Sequence, residues 1–277
     1  MSHYFRTSDG TDLYYKDWGT GPAIIFSHGW PLSSDAFEDQ MNFLAQHGFR
    51  CIGLDRRGHG RSAQSWTGHT IEQYAQDLHE LVEHLELDQV HLVGHSTGGA
   101  VVTRYTTRYG HDKVTKLVLL ASVTPLMIQR DDFPNGVDPH VFDDMREQIL
   151  ANRSDFYLDF ARKFYGYTGL FQKSSEGNIQ NFWRIAMQGS LKAHYDCIAA
   201  FSETDLRADL EQIEALTLVL YGDKDEIVPP DVCSDQALSL LKFSLEKCIE
   251  GAPHGLCSTH KNQVNNALLE FFQSDDF

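Results

Sequence analysis

No C-x-x-C pair occurs among the five cysteines of this 277-residue chain, and no H-E-x-x-H among its 14 histidines. The odd cysteine count argues against a disulfide framework. Cys51, Cys197, Cys233, Cys248 and Cys257 read as buried or free thiols in a reducing cytoplasm. The missing histidine motif removes a common zinc spacing, and there is no Walker loop and no dinucleotide fingerprint. The expectation is therefore a protein without metal or cofactor. Basic residues are scarce: 23 Lys and Arg stand against 39 Asp and Glu, a net charge of −16. Such a surface repels nucleic acid and anionic membranes alike. No apolar run approaches the length of a membrane span, and the opening Met-Ser-His-Tyr-Phe-Arg lacks the apolar core of a secretion signal. Internal repeats and low-complexity tracts are missing too. The length suits one large α/β domain with a sizeable core.

What the sequence does have is Leu-Val-Gly-His-Ser-Thr-Gly-Gly at residues 92–99. Val90, Leu92 and Val93 form a β-rich apolar run before Ser96, and Ala100, Val101, Val102, Tyr105 and Tyr109 follow in helical fashion. A sharp strand-to-helix turn forces its serine into a strained conformation and exposes the Oγ at the top of the sheet. Gly94 and Gly98 sit where a Cβ would collide with that turn. A glycine-flanked serine in an ordinary loop lacks this context. The combination resembles the nucleophile turn of the α/β-hydrolase fold.

The rest of the chain is punctuated accordingly. Asp9-Gly10 is a turn between strands at 3–7 and 13–16. Strands follow at 23–26 and 51–54, with a helix at 37–46 between them. The clearest helix spans 71–85, where Thr70 and Gln73 have the spacing of a capping box and the apolar residues share one face. A strand at 116–121 completes this half. Strand and helix alternate, which predicts a parallel sheet covered on both faces. The alternation stops at Thr124-Pro125 and resumes with strands at 218–221 and 244–249 and helices at 232–241 and 263–272. Residues 124–216 offer helix-like and loop segments rich in aromatics, Phe171 among them. They read as a helical cap inserted into a core domain formed by residues 1–123 and 217–277.

A serine hydroxyl needs a base, and the base needs an acid to orient it. In this fold the chain order is Ser, then Asp or Glu, then His. Gly222-Asp223-Lys224-Asp225 follows one late strand and Pro253-His254-Gly255 the last. His254 is the expected base. Asp225 and Asp223 compete for the acid, and the later residue has more room to turn back over the strand end. His28, His59, His95 and His260 are lesser candidates for the base. The two amides that stabilise an oxyanion are expected at Thr97, directly after the nucleophile, and at Trp30 in the loop after the third strand. Phe160 and Phe164 share a helix face at i and i+4, suited to a pocket wall or to core. Dehalogenases and epoxide hydrolases that use an aspartate nucleophile need Asp where this chain has Ser96.

Longer segments narrow the reading. Phe26-Ser27-His28-Gly29-Trp30-Pro31-Leu32, Asp55-Arg56-Arg57-Gly58-His59-Gly60-Arg61-Ser62, Gly94-His95-Ser96-Thr97-Gly98-Gly99 and Phe201-Ser202-Glu203-Thr204-Asp205-Leu206 resemble the cofactor-free haloperoxidases, or perhydrolases, and their aryl-esterase relatives. The resemblance covers nearly the whole chain and is weakest between 130 and 195. It implies an α/β-hydrolase fold with a mostly parallel eight-stranded sheet, helices on both faces and an inserted helical cap. It implies a triad of Ser96, Asp225 and His254, with the Trp30 and Thr97 amides as oxyanion hole. Trp30, Val123, Met127, Phe160, Phe164, Phe201 and Ile227 are implied as the acyl pocket, Met127 standing where relatives often place an aromatic. The implied activity is hydrolysis of small aryl and alkyl esters, with peracid formation when hydrogen peroxide replaces water. The partners are then a small ester or carboxylic acid and peroxide, without cofactor. A lactone or carbon–carbon bond hydrolase, or a ligand receptor with a slow triad, are the competing readings. The oligomeric state is left open.

Overall fold

The computed structural model describes residues 3–167 and 175–274. Strands β1 (Tyr4–Arg6) and β2 (Asp12–Trp18) form the expected antiparallel hairpin, with Gly10 at φ 87° in its turn. Then come β3 (Ala23–Ser27), α1 (Glu38–Gln46), β4 (Arg50–Leu54), α2 (Ile71–His84), β5 (Val90–His95), α3 (Thr97–Arg108) and β6 (Val114–Leu120). Among the described residues four helices precede the next strand: α4 (Pro139–Phe164), α5 (Glu176–Gln188), α6 (Leu191–Glu203) and α7 (Arg207–Leu210). The chain ends through β7 (Leu216–Gly222), α8 (Ser234–Leu240), β8 (Ser244–Ile249), α9 (Leu256–Thr259) and α10 (Lys261–Gln273). The eight strands form one sheet in the order β1-β2-β4-β3-β5-β6-β7-β8, antiparallel only where β2 meets β1 and β4.

The apolar strands are explained by two cores, one on each face. Leu117 and Leu119 belong to one cluster, whereas Val118 and Leu120 belong to the other. Successive residues point to opposite faces of a strand, so a sheet covered twice needs continuous apolar runs. Helices α1 and α10 cover one face, with Met41, Leu44, Val264 and Leu268 in its core. Helices α2 and α3 cover the other, with Leu78, Leu81, Val101 and Val102.

The predicted capping box is half present. Thr70 Oγ1 accepts from the Gln73 amide at 3.2 Å, but the Gln73 side chain bonds Asp77 at 3.1 Å rather than reaching back. Asp77 is buried against Arg57, and completing that ion pair competes for the Gln73 amide group. Between β6 and β7 the described residues contain only two isolated bridges, Ile128–Val137 and Arg130–Phe133, as the break in alternation suggests. Helix α4 is interrupted at Asn152 (φ −162°, ψ 88°), whose side-chain oxygen accepts from the Ser154 and Asp155 amides and so caps the second half. Its aromatics Phe142, Phe156, Tyr157 and Phe164 join the same core cluster as the strand residues. Helix α7 instead packs on α3 and α8. Phe171 lies outside the described residues. No helix among those described is long and apolar enough to cross a membrane.

Candidate active site

Strand β5 ends just before Ser96 and α3 begins just after it. Ser96 has φ 54° and ψ −121°, a backbone region that few residues other than glycine adopt. Bonds on both sides hold it there. Its amide donates to the Leu120 carbonyl at 3.0 Å, and its carbonyl accepts from Gly99 and Val123 at 2.9 and 3.3 Å. A Cβ on Gly94 would strike the Gly98 carbonyl, and one on Gly98 the Ser27 carbonyl. Both glycines are therefore fixed by close approach, as the spacing required.

Asp225 follows β7 and His254 follows β8, which brings them to the ends of neighbouring strands, and His254 shares a cavity with Ser96. His254 Nδ1 donates to Asp225 Oδ2 at 2.6 Å, both side chains being 1% exposed. The other oxygen, Oδ1, accepts from the Ile227 and Val228 amides at 2.9 and 2.8 Å. These donors fix the carboxylate in one orientation and hold its second oxygen away from the imidazole. Asp223 is spent elsewhere. Its carboxylate takes the Gly251 amide and stands 3.5 Å from Lys224 Nζ.

Three of the other candidate histidines, His28, His59 and His95, are tied to backbone. The His28 ring joins Nδ1 to the Gly29 carbonyl at 2.9 Å, and its Nε2 accepts the Arg56 amide at 3.1 Å. His59 Nδ1 lies 3.1 Å from the Arg57 carbonyl. His95 Nε2 lies 3.2 Å from the carbonyl oxygen of His254, and the two rings approach to 4.8 Å. Burial pushes His28, His59 and His95 well below the ordinary imidazole range. His260 bonds Thr259 at 2.9 Å.

Thr97 is the first residue of α3, so its amide has no acceptor within the helix. Among the described residues neither this amide nor that of Trp30 is bonded to another protein group. The Trp30 indole Nε1 donates to the His194 carbonyl at 3.0 Å, which fixes the ring. Both residues line a cavity of ≈ 450 Å³ together with Ser96 and His254. Of the expected pocket residues, Trp30, Val123, Met127, Phe160, Phe201 and Ile227 line it. Phe164 does not. It sits one helical turn beyond Phe160, with its ring 4.9 Å from His254 at 89°, and backs the imidazole instead. Phe142 and Phe156 complete the apolar wall, while Asp144, Asp159, Lys163 and Glu226 supply its charged groups. The sequence reading missed Phe156, although its i, i+4 relation to Phe160 is the signal already used for Phe164.

The family described as the alpha/beta hydrolase fold matches residues 22–261. The chain belongs to it. A non-heme haloperoxidase from Rhodococcus erythropolis is 48% identical over 98% of this chain and 99% of its own length. A bifunctional esterase/perhydrolase from Acinetobacter calcoaceticus is 44% identical, covering 98% and 99%. Among solved structures, a bromoperoxidase from Bacillus anthracis superposes with a TM-score of 0.93 at 38% identity, covering 96% of each chain. The haloperoxidase and perhydrolase resemblance carried by Phe26–Leu32 and Asp55–Ser62 is thus shown across the whole α/β hydrolase domain.

Proposed function

We propose that this α/β hydrolase is a serine carboxylesterase for small aryl and alkyl esters that also forms peracids. The carrying observation is the Asp225–His254 pair at 2.6 Å, whose imidazole lines one cavity with a serine at φ 54°. In this reading Ser96 Oγ attacks the ester carbonyl while His254 Nε2 takes its proton. Asp225 holds the imidazole tautomer and stabilises its cation. The Trp30 and Thr97 amides receive the oxyanion, and His254 returns the proton to the leaving alcohol. Water then attacks the acyl-enzyme and releases the acid. When hydrogen peroxide attacks instead, the acyl–Oγ bond breaks, a peracid leaves and Ser96 regains its proton. A free carboxylic acid enters the same cycle by acylating Ser96 with loss of water. Halide oxidation follows in solution, so bromination of a dye requires both peroxide and a short carboxylate.

The relatives named esterase/perhydrolase and non-heme haloperoxidase support both activities. The helices between β6 and β7 serve as a cap whose α4 aromatics shape the acyl pocket. Five unpaired thiols, with Cys248 exposed, suit a reducing cytoplasm. Replacing Ser96 by Ala tests the shared nucleophile. Ester hydrolysis and peracid formation should fall together, leaving about 10³–10⁴-fold catalysis over water. Retention of peracid formation by that variant would separate the two chemistries.

A further inference from the structure

We propose that Met127 is the protein's own target of the peracid made at Ser96, and that its oxidation limits the activity of the site. The inference rests on the peracid-forming reading above. Met127 is 3% exposed and lines the same cavity as Ser96 and His254. Its Sδ lies 3.4 Å from the Cys233 thiol, which also faces the Leu126 carbonyl at 3.9 Å. A peracid released from the acyl-enzyme is thus confined beside a thioether. One molecule in a cavity of ≈ 450 Å³ corresponds to an effective concentration of roughly 4 M, far above any level the bulk solution reaches during turnover.

The chemistry balances without a further reactant. The terminal oxygen of the peracid transfers to the Met127 sulfur, the O–O bond breaks, and carboxylic acid and methionine sulfoxide result. The thioether is oxidised by two electrons and the peracid reduced by two. No proton has to leave first, so a neutral buried sulfur is competent. Cys233 is the poorer target, because thiols react through the thiolate and burial pushes this thiol up. Methionine sulfoxide is polar and chiral. On a wall shared with Trp30, Val123 and Phe201 it opposes the binding of an apolar acyl chain.

The chain contains its own references: Met41 is fully buried in the opposite core and Met187 is half-buried in α5 and is not a lining residue, whereas Met145 shares the cavity and meets the same peracid. The full-length protein is incubated with acetate and hydrogen peroxide, quenched with catalase, and each methionine peptide is weighed. A soluble thioether in the same tube reports peracid. Parallel samples receive peroxide alone or peracetic acid from outside, and Ser96→Ala receives acetate and peroxide. During turnover Met127 should gain oxygen before Met187. Peracid supplied from outside should oxidise the more accessible Met187 at least as early. Ser96→Ala should leave Met127 reduced. Hydrolysis of nitrophenyl butyrate should decline in step with oxidation at Met127, through a several-fold rise in KM, and recover with methionine sulfoxide reductases. In Met127→Leu the decline, measured against that variant's own starting rate, should vanish. Peracid in the trap with Met127 still reduced, or equal oxidation in Ser96→Ala, would overturn the proposal. An empty trap would overturn the peracid reading and this inference with it.

Discussion

Arg56 grips His28 at two points: its amide donates to His28 Nε2 at 3.1 Å, and its guanidinium Nη1 donates to the His28 carbonyl. The guanidinium is buried and stands 5.3 Å over the Tyr74 ring. His28 is two residues from Trp30, so the loop at Asp55–Ser62 fixes the strand end that presents the Trp30 amide. The rest of that loop is anchored in turn: Arg57 pairs with Asp77 at 2.5 Å, and Asp55 accepts from the Ser34 and Arg61 amides at 2.8 and 2.9 Å. Arg56→Met should lower kcat toward small esters, by no more than the ~10²–10³-fold lost with an entire oxyanion donor. Arg56→Lys should recover only part, since an ammonium lacks the planar fork. A folded Arg56→Met with unchanged kcat would detach this loop from catalysis.

The two aspartates are separable. Asp225→Asn should reduce kcat by about 10⁴-fold, because an amide at that position favours the wrong imidazole tautomer. Asp223→Asn keeps an acceptor for the Gly251 amide and should cost far less. Steady-state kinetics of both variants on nitrophenyl acetate decide the assignment, and the reverse ranking would move the acid to Asp223.

Phe160 and Phe164 should respond differently although they lie one turn apart. Phe160 meets Trp30 edge-on at 5.5 Å and lines the cavity. Phe160→Ala should raise the kcat/KM ratio of hexanoyl to acetyl esters by at least about tenfold, the discrimination that a few methylenes supply. Phe164→Ala should lower kcat for both esters alike, because the ring supports His254 rather than the substrate. An acyl-length shift in Phe164→Ala would contradict that placement.

Stability should fall on mild acidification. His28, His59, His69, His91, His95 and His194 are all held below the ordinary imidazole value of 6.5, burial being the main cause in each, with His91 at about 4 and His194 at about 3. The unfolded chain then binds more protons than the native one below pH 6.5. The contribution is complete above that pH and is lost toward each native value, at about 1.4 kcal/mol per pH unit for each group. The buried carboxyls Asp55 and Asp77 are pushed upward and work the other way, which offsets part of the loss. A Tm that drops steadily from pH 7 to 5 is expected, and a flat one would count against it.

Much of the site was legible because its constraints are local. The Ser96 conformation follows from two glycines and the strand–helix switch within eight residues. The proposed acid follows the continuous apolar run of β7, whereas the proposed base follows β8, whose Ser-Leu-Glu-Lys-Cys-Ile is largely exposed and is marked less clearly. Position in the loop only favours Asp225 over Asp223, and the family resemblance makes the choice; in the structure Asp225 is the one of the two that meets His254. What failed depended on distant partners. Gln73 has the spacing of a capping box, yet Asp77 and Arg57 claim its side chain. Phe164 has pocket-like spacing, but the rotation of α4 decides which turn faces the cavity and which faces His254. No periodicity reveals the Arg56 contact with His28, 28 residues apart and across two strands.

Trp30 joins two properties that most designers would treat separately. In the proposed mechanism its amide receives the oxyanion, its ring meets Phe160 and Phe201 at the cavity wall, and its indole N–H anchors it to the backbone of α6. Any substitution that widens the pocket at this position removes the ring together with its anchor to His194 and loosens the backbone that carries the amide. Breadth of substrate and speed of turnover therefore trade against each other here. A lineage or an engineer seeking bulkier substrates would gain more from Val123, Phe201 or Ile227, where the wall can move while the donor stays in place.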